Sequence, residues 1–163
     1  MTMALTAPVP PPGRPPENYS FTGPNTPALA GLARWFLRDL LLATGHRNAQ
    51  LVSVAQLCVS EVVTNAHRHT RAPLVTVSVT VTDRQVTVHV HDDSTALPVP
   101  RALSEKAERG RGLRILDAFA DAWGTDLYGG RQPRSKSVWF RLDDDGRYDA
   151  PRGDDGVSPR RGL

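Results

Sequence analysis

A single cysteine, Cys58, stands in 163 residues, so no disulfide can form within the chain and no cysteine cluster can hold a metal. Long apolar runs are also missing. None approaches the roughly 20 residues that cross a bilayer, and the N-terminus lacks the basic start and hydrophobic stretch of a signal peptide. A cytoplasmic protein with no membrane partner is the expectation. Aromatics make up only 6% of the chain and the formal charge is +3. The basic residues, nearly all arginine, are scattered, without the basic patch and interleaved aromatics of a nucleic-acid surface. Nucleic acid is therefore not an expected partner. What is present, 39% hydrophobic content, suits one compact domain with tails, since a domain typically runs to roughly 100–200 residues.

The first sixteen residues, rich in Pro, Ala and Thr, cannot bury enough apolar surface to fold and read as a disordered leader. Residues 17–23, ENYSFTG, alternate Tyr19 and Phe21 with polar neighbours as an edge strand would. Thr26 followed by Pro27 predicts a helix N-terminus, with Leu29, Leu32, Ala33, Phe36, Leu37, Leu40 and Leu41 on one apolar stripe ending near Gly45. That stripe could serve a homodimer as well as a core. A second, longer helix is expected from about Asn48 to His69, stopped by Arg71-Ala72-Pro73. Strict alternation in residues 74–82 and 85–91, around Asp83-Arg84, predicts a hairpin with one face buried. From Asp92 to Arg109 the pattern dissolves into a loop longer than most connections, read as a lid. A short helix opened by Gly110-Arg111-Gly112, then strands over residues 123–128 and 137–142, complete a folded region of 17–142. The charged residues 143–163 read as a disordered tail. Strands segregated from helices in this way imply an α+β two-layer sandwich: a mixed, mostly antiparallel sheet covered on one face by three helices.

Candidate chemistry begins on the second helix. Glu61 and Asn65 are four residues apart and so lie one above the other on a single helical face. A carboxylate there can act as a base, and the carboxamide oxygen of Asn65 is a neutral hard ligand suited to Mg²⁺. A lone Glu-x-x-x-Asn is most often ordinary surface polarity, so its weight depends on what accompanies it. Asp92 ends the second hairpin strand, where a carboxylate can accept a hydrogen bond from an exocyclic amine such as that of adenine. Glu108-Arg-Gly-Arg-Gly-Leu113 opens a helix with glycines, and such a terminus favours phosphate through unsatisfied N–H groups and close backbone approach. No Gly-Lys-Ser/Thr follows, so it is no Walker loop, and no parallel strand-helix-strand unit makes it a dinucleotide turn. Arg109 and Arg111 flank these glycines and could neutralise charge on a transferred phosphoryl group. Ser137, in the last strand, points by alternation to the face opposite Val138.

Taken in order, these segments resemble the GHKL ATP-binding superfamily with its Bergerat fold, and most nearly its small anti-sigma-factor serine kinases and related actinobacterial regulators. Residues 61–66, EVVTNA, resemble the N box; residues 92–96, DDSTA, stand at the G1 position; residues 110–113, GRGL, resemble G2; and residues 135–140 resemble the closing strand. The resemblance implies ATP and Mg²⁺ as ligands, with Asn65 holding the metal and Glu61 as general base. Asp92 would bind the adenine amine, with Ser94 and Ala96 beside it at positions where the family has glycines. Gly110, Gly112 and Leu113 would wrap the phosphates, and Ser137 would stand where the family has a threonine near adenine. The function implied is an ATP-binding anti-sigma factor with serine/threonine protein kinase activity on an anti-sigma-factor antagonist. A catalytically inactive module that sequesters a sigma factor is the alternative.

Overall fold

The computed structural model describes residues 13–92, 114–131 and 135–148. Its strands are β1 (Glu17–Pro24), β2 (Leu74–Val81), β3 (Gln85–Asp92), β4 (Ala122–Tyr128) and β5 (Ser135–Asp143), and its long helices are α1 (Leu29–Ala43) and α2 (Ala49–His69). A third helical segment, α3, covers residues 114–119. The five strands form one sheet in the order β1-β2-β3-β5-β4, and each of its four pairings is antiparallel.

The hairpin of β2 and β3 forms where the alternation predicts it. Val75, Val77, Val79 and Val81 of β2 and Val86, Val88 and Val90 of β3 all point into the core. Each fully buried valine contributes roughly 1.5–3 kcal/mol, and β-branched side chains suit the pleated surface. Phe140 and Leu142 of β5 and Leu116 of α3 close the same core. The opposite side chains of the sheet carry no helix among the described residues, so the architecture is the two-layer α+β sandwich expected.

Both long helices lie on the valine face. Asn48 caps α2 as its position suggests, its side-chain oxygen accepting from the N–H groups of Gln50 (2.9 Å) and Leu51 (3.1 Å). Helix α1 differs at its start. Its N-cap is Ala28, with no side-chain cap, and Thr26 and Pro27 form a preceding turn in which the Thr26 carbonyl accepts from Leu29. The helix ends at Ala43 with Thr44 as its C-cap, and the next residue, Gly45, takes a φ of 99° that glycine adopts at no steric cost. Of the predicted α1 stripe, Leu32 is instead exposed. The buried set Leu29, Ala33, Leu37, Leu40 and Leu41 forms a narrower band, because α1 packs chiefly on α2, with Phe36 reaching Phe21 of β1 edge-on at 4.8 Å between centroids.

The fold extends past Leu142. His46, in the turn between α1 and α2, is 2% exposed. Its Nδ1 lies 2.6 Å from Asp144 Oδ2 and its Nε2 lies 2.8 Å from the Thr82 carbonyl. The ring thus bridges the Asp144 carboxylate and the Thr82 carbonyl, one oxygen at each of its nitrogens. Arg147 pairs with Asp121 and Asp145, and Tyr148 packs against the core. These charged residues lock the exit of β5 to the α1–α2 turn and the start of β4.

Candidate functional site

The direction of α2 decides what its polar pair can reach. The helix begins beside the β2–β3 turn, where His46 bonds to Thr82, and ends at the far end of the sheet. There Asn25 stitches its exit: the Asn25 N–H donates to the Pro73 carbonyl at 2.9 Å, its Nδ2 donates to the Ala72 carbonyl at 2.9 Å, and its Oδ1 accepts from His67 Nδ1 at 2.8 Å. Asp92 pairs in register with Val75, at that same far end. Asn65, one turn before the end of α2, is thus brought to the end of the sheet that carries Asp92.

Burial supports a site there. Asp92 is 3% exposed and lies on the valine face, since it alternates with Val90, Val88 and Val86. Glu61 and Asn65 are half-buried, and no hydrogen bond to either side chain is made among the described residues. The Glu61 charge is felt nearby: burial first and Glu61 second push the Cys58 thiol up to about 12. A half-buried carboxylate and carboxamide stacked on a helix offer oxygens to a cation, and the buried carboxylate at the strand end offers an acceptor to an amine. The donor set also fits Mg²⁺, which takes one or two protein oxygens and completes its octahedron with water and phosphate oxygens.

A family model described as a histidine kinase-like ATPase domain matches residues 23–142, well over half of the chain. The chain belongs to this family. The match bears out the resemblance drawn from the order of the motifs. Among solved structures, the histidine kinase-like ATPase domain described above is similar to a chain in the crystal structure of the SiaB–SiaC complex from Pseudomonas aeruginosa, with 13% identity, a TM-score of 0.53, and coverage of 77% of this chain and 88% of that one. At that identity the likeness concerns the fold. No curated protein matches the chain in sequence.

Of the expected site residues in this histidine kinase-like ATPase domain, Asn65 lies near the end of α2 toward the sheet end that carries Asp92, and Glu61 lies one turn before it on the same helix. Ser94, Ala96, Arg109, Gly110, Arg111, Gly112 and Leu113 lie outside the described residues. Ser137 is placed elsewhere. It pairs with His91 and not with Asp92, so it sits on the opposite face of the sheet, buried, with its hydroxyl 3.3 Å from His89 Nδ1. The reason is the two-residue period of a strand: Lys136, directly across from Asp92, and Val138 share the Asp92 face, and a residue between them cannot. Alternation around Val138 carried this signal in the sequence. The Asn25–His67 contact had no local signal, because it joins residues 42 apart.

Proposed function

We propose that the chain binds ATP with Mg²⁺ between α2 and the Asp92 end of the sheet, and that it acts as a regulator by phosphorylating a serine or threonine of a partner protein. What supports this reading is the place of Asn65, one turn from the end of α2, at the sheet end that carries the buried Asp92, with Glu61 on the same helical face. Asp92 accepts from the adenine amine, a charge-assisted contact of carboxylate with N–H. Asn65 supplies a neutral oxygen to the metal, and backbone amides of residues 110–113, with Arg109 and Arg111, meet the phosphates. Bound Mg²⁺ supplies neutralisation of phosphate charge. Glu61 takes the proton of the attacking hydroxyl as the new O–P bond forms and the bond from the γ-phosphorus to the bridging oxygen breaks, releasing ADP.

A protein partner is supported by the neighbouring fold, which was solved as a complex of two proteins; for this chain the partner proposed is an anti-sigma-factor antagonist, a sigma factor, or both. Trp35, 70% exposed, and Leu32, 53% exposed, lie one turn apart on α1 and give a homodimer an apolar contact. The second reading, sequestration of a sigma factor without phosphoryl transfer, is favoured by Ser94 and Ala96 standing at positions where glycines would admit a tight turn.

Calorimetry with ATP and Mg²⁺ tests the site. Asp92→Asn is expected to weaken binding at least tenfold, about 1.4 kcal/mol, because a neutral carboxamide oxygen accepts more weakly than a carboxylate. Equal affinity would remove adenine reading from Asp92. With γ-labelled ATP and an antagonist, labelling that persists undiminished in Glu61→Ala would remove the base assignment.

A further inference from the structure

The face of the sheet opposite the helices is unusual in what it displays. Antiparallel sheets with one solvated face alternate apolar residues inward with polar ones outward. On β1 and β2 this holds, with Thr22 and Thr76 hydroxyls 2.8 Å apart and Thr80 bonded to Asn18 at 2.7 Å. On β3, β4 and β5 the outward residues form an arc of rings. Trp139 lies 6.2 Å from His89, His89 stacks on His91 at 5.9 Å with planes 12° apart, and His91 lies 5.8 Å from Tyr128. Gly124, paired with Trp139, makes the seat for the indole: a Cβ there would lie 3.0–3.1 Å from its ring atoms. The arc surrounds the buried Ser137. Formal charge is scarce around it, since Arg141 and Asp143 lie 3.2 Å apart at the lower end, which leaves Asp126 beside the rings. Burial and the neighbouring His91 lower the pKa of His89, against a smaller raising effect of Asp126, so this imidazole favours its neutral form.

A ring-lined surface with indole, imidazole and phenol donors suits a polyproline II segment, whose rings stack on aromatics and whose carbonyls have no internal partners. The chain carries a proline-rich sequence of that kind. Residues 1–12, MTMALTAPVPPP, contain Pro8, Pro10, Pro11 and Pro12 and no charged side chain. Residues 149–163 at the other end carry Asp149, Arg152, Asp154, Asp155, Arg160 and Arg161 and suit that surface poorly. The attachment point is favourable too. The Arg14 N–H donates to Asp83 at 2.8 Å, which holds the chain at the turn leading into β3. From there twelve residues in polyproline II geometry span about 37 Å, more than the roughly 26 Å of an eight-residue strand.

We propose that residues 1–12 lie as a proline-rich strap across the Trp139–His89–His91–Tyr128 arc. The proposal is independent of the nucleotide site, which is on the other face. It is tested in the full-length protein by placing a nitroxide label at Leu5→Cys, with Cys58 buried and unlabelled, and observing ring signals by NMR. The Trp139 indole N–H and Tyr128 ring signals are expected to broaden, and to recover in a second protein in which Pro8, Pro10, Pro11 and Pro12 are also changed to serine. Ring signals that stay sharp in the first protein would overturn the proposal. So would equal shifts of the Trp139 signal in the wild type and the serine variant on adding an equimolar synthetic peptide of residues 1–12, because the arc would then stand open to a partner's segment.

Discussion

Replacing His46 with alanine breaks two contacts at once, and the geometry allows the loss to be worked out. The bond to the Asp144 carboxylate at 2.6 Å belongs to the class that contributes about 1.5–3 kcal/mol, and the bond to the Thr82 carbonyl at 2.8 Å to the class near 1 kcal/mol. Asp144 keeps 23% of its side-chain surface exposed, so water recovers part of the first contribution, whereas the ring itself is almost wholly buried and leaves a void. The expected destabilisation is about 2–4 kcal/mol. In urea, with a slope of about 1–3 kcal/mol per molar, the midpoint should fall by about 1–2 M with the slope unchanged. Asp144→Asn keeps an acceptor and removes the charge, so it should cost less, and the two substitutions together should cost less than their sum by about 1 kcal/mol or more. A loss below about 0.5 kcal/mol for His46→Ala, or strict additivity, would show that the C-terminal exit is not fastened by this pair.

Two further outcomes follow from titrating groups. Cys58, with its thiol pushed up to about 12 from an ordinary 9.0, carries about a thousandfold less thiolate than a free cysteine near pH 8. It should resist Ellman's reagent in the native state and react promptly in 6 M urea, and fast native labelling would contradict its burial. His89 titrates below its ordinary value, so near and below pH 6.5 the unfolded chain binds the proton more readily than the native one. Stability should therefore fall as the pH drops through that range, and His89→Gln should flatten the decline measured by urea titration between pH 7 and 5.

Local pattern carried a great deal of this fold. Strict alternation placed the strands Leu74–Val81 and Gln85–Asp92 to within a residue at their ends, and Asn48 announced the start of α2, because each rests on physics acting within a few residues. The insertion of β5 between β3 and β4 had no such signal, since strand partners are chosen by packing across the whole layer. The charged stretch from Asp143 to Arg147 looked like tail because its partners, His46 and Asp121, are far away in sequence. At the site, Glu61 and Asn65 were legible as a helical pair, but their approach to Asp92 depends on where α2 ends. Ser137 shows the converse, a position matched along the chain whose strand parity turns it to the other face.

The register of β3 with β5 joins Gln85–Asp92 to Lys136–Asp143 through eight paired residues, so everything from residue 93 to residue 134 is an excursion between two neighbouring strands. Closing a loop costs free energy that rises only with the logarithm of its length, about 0.6 kcal/mol for each doubling. That stretch also carries α3, with Leu116 in the core, and β4, paired along β5, so a change of length between Asp92 and α3 should leave the core and Asp92 seated, whereas one within α3 or β4 should unseat the edge of the sheet.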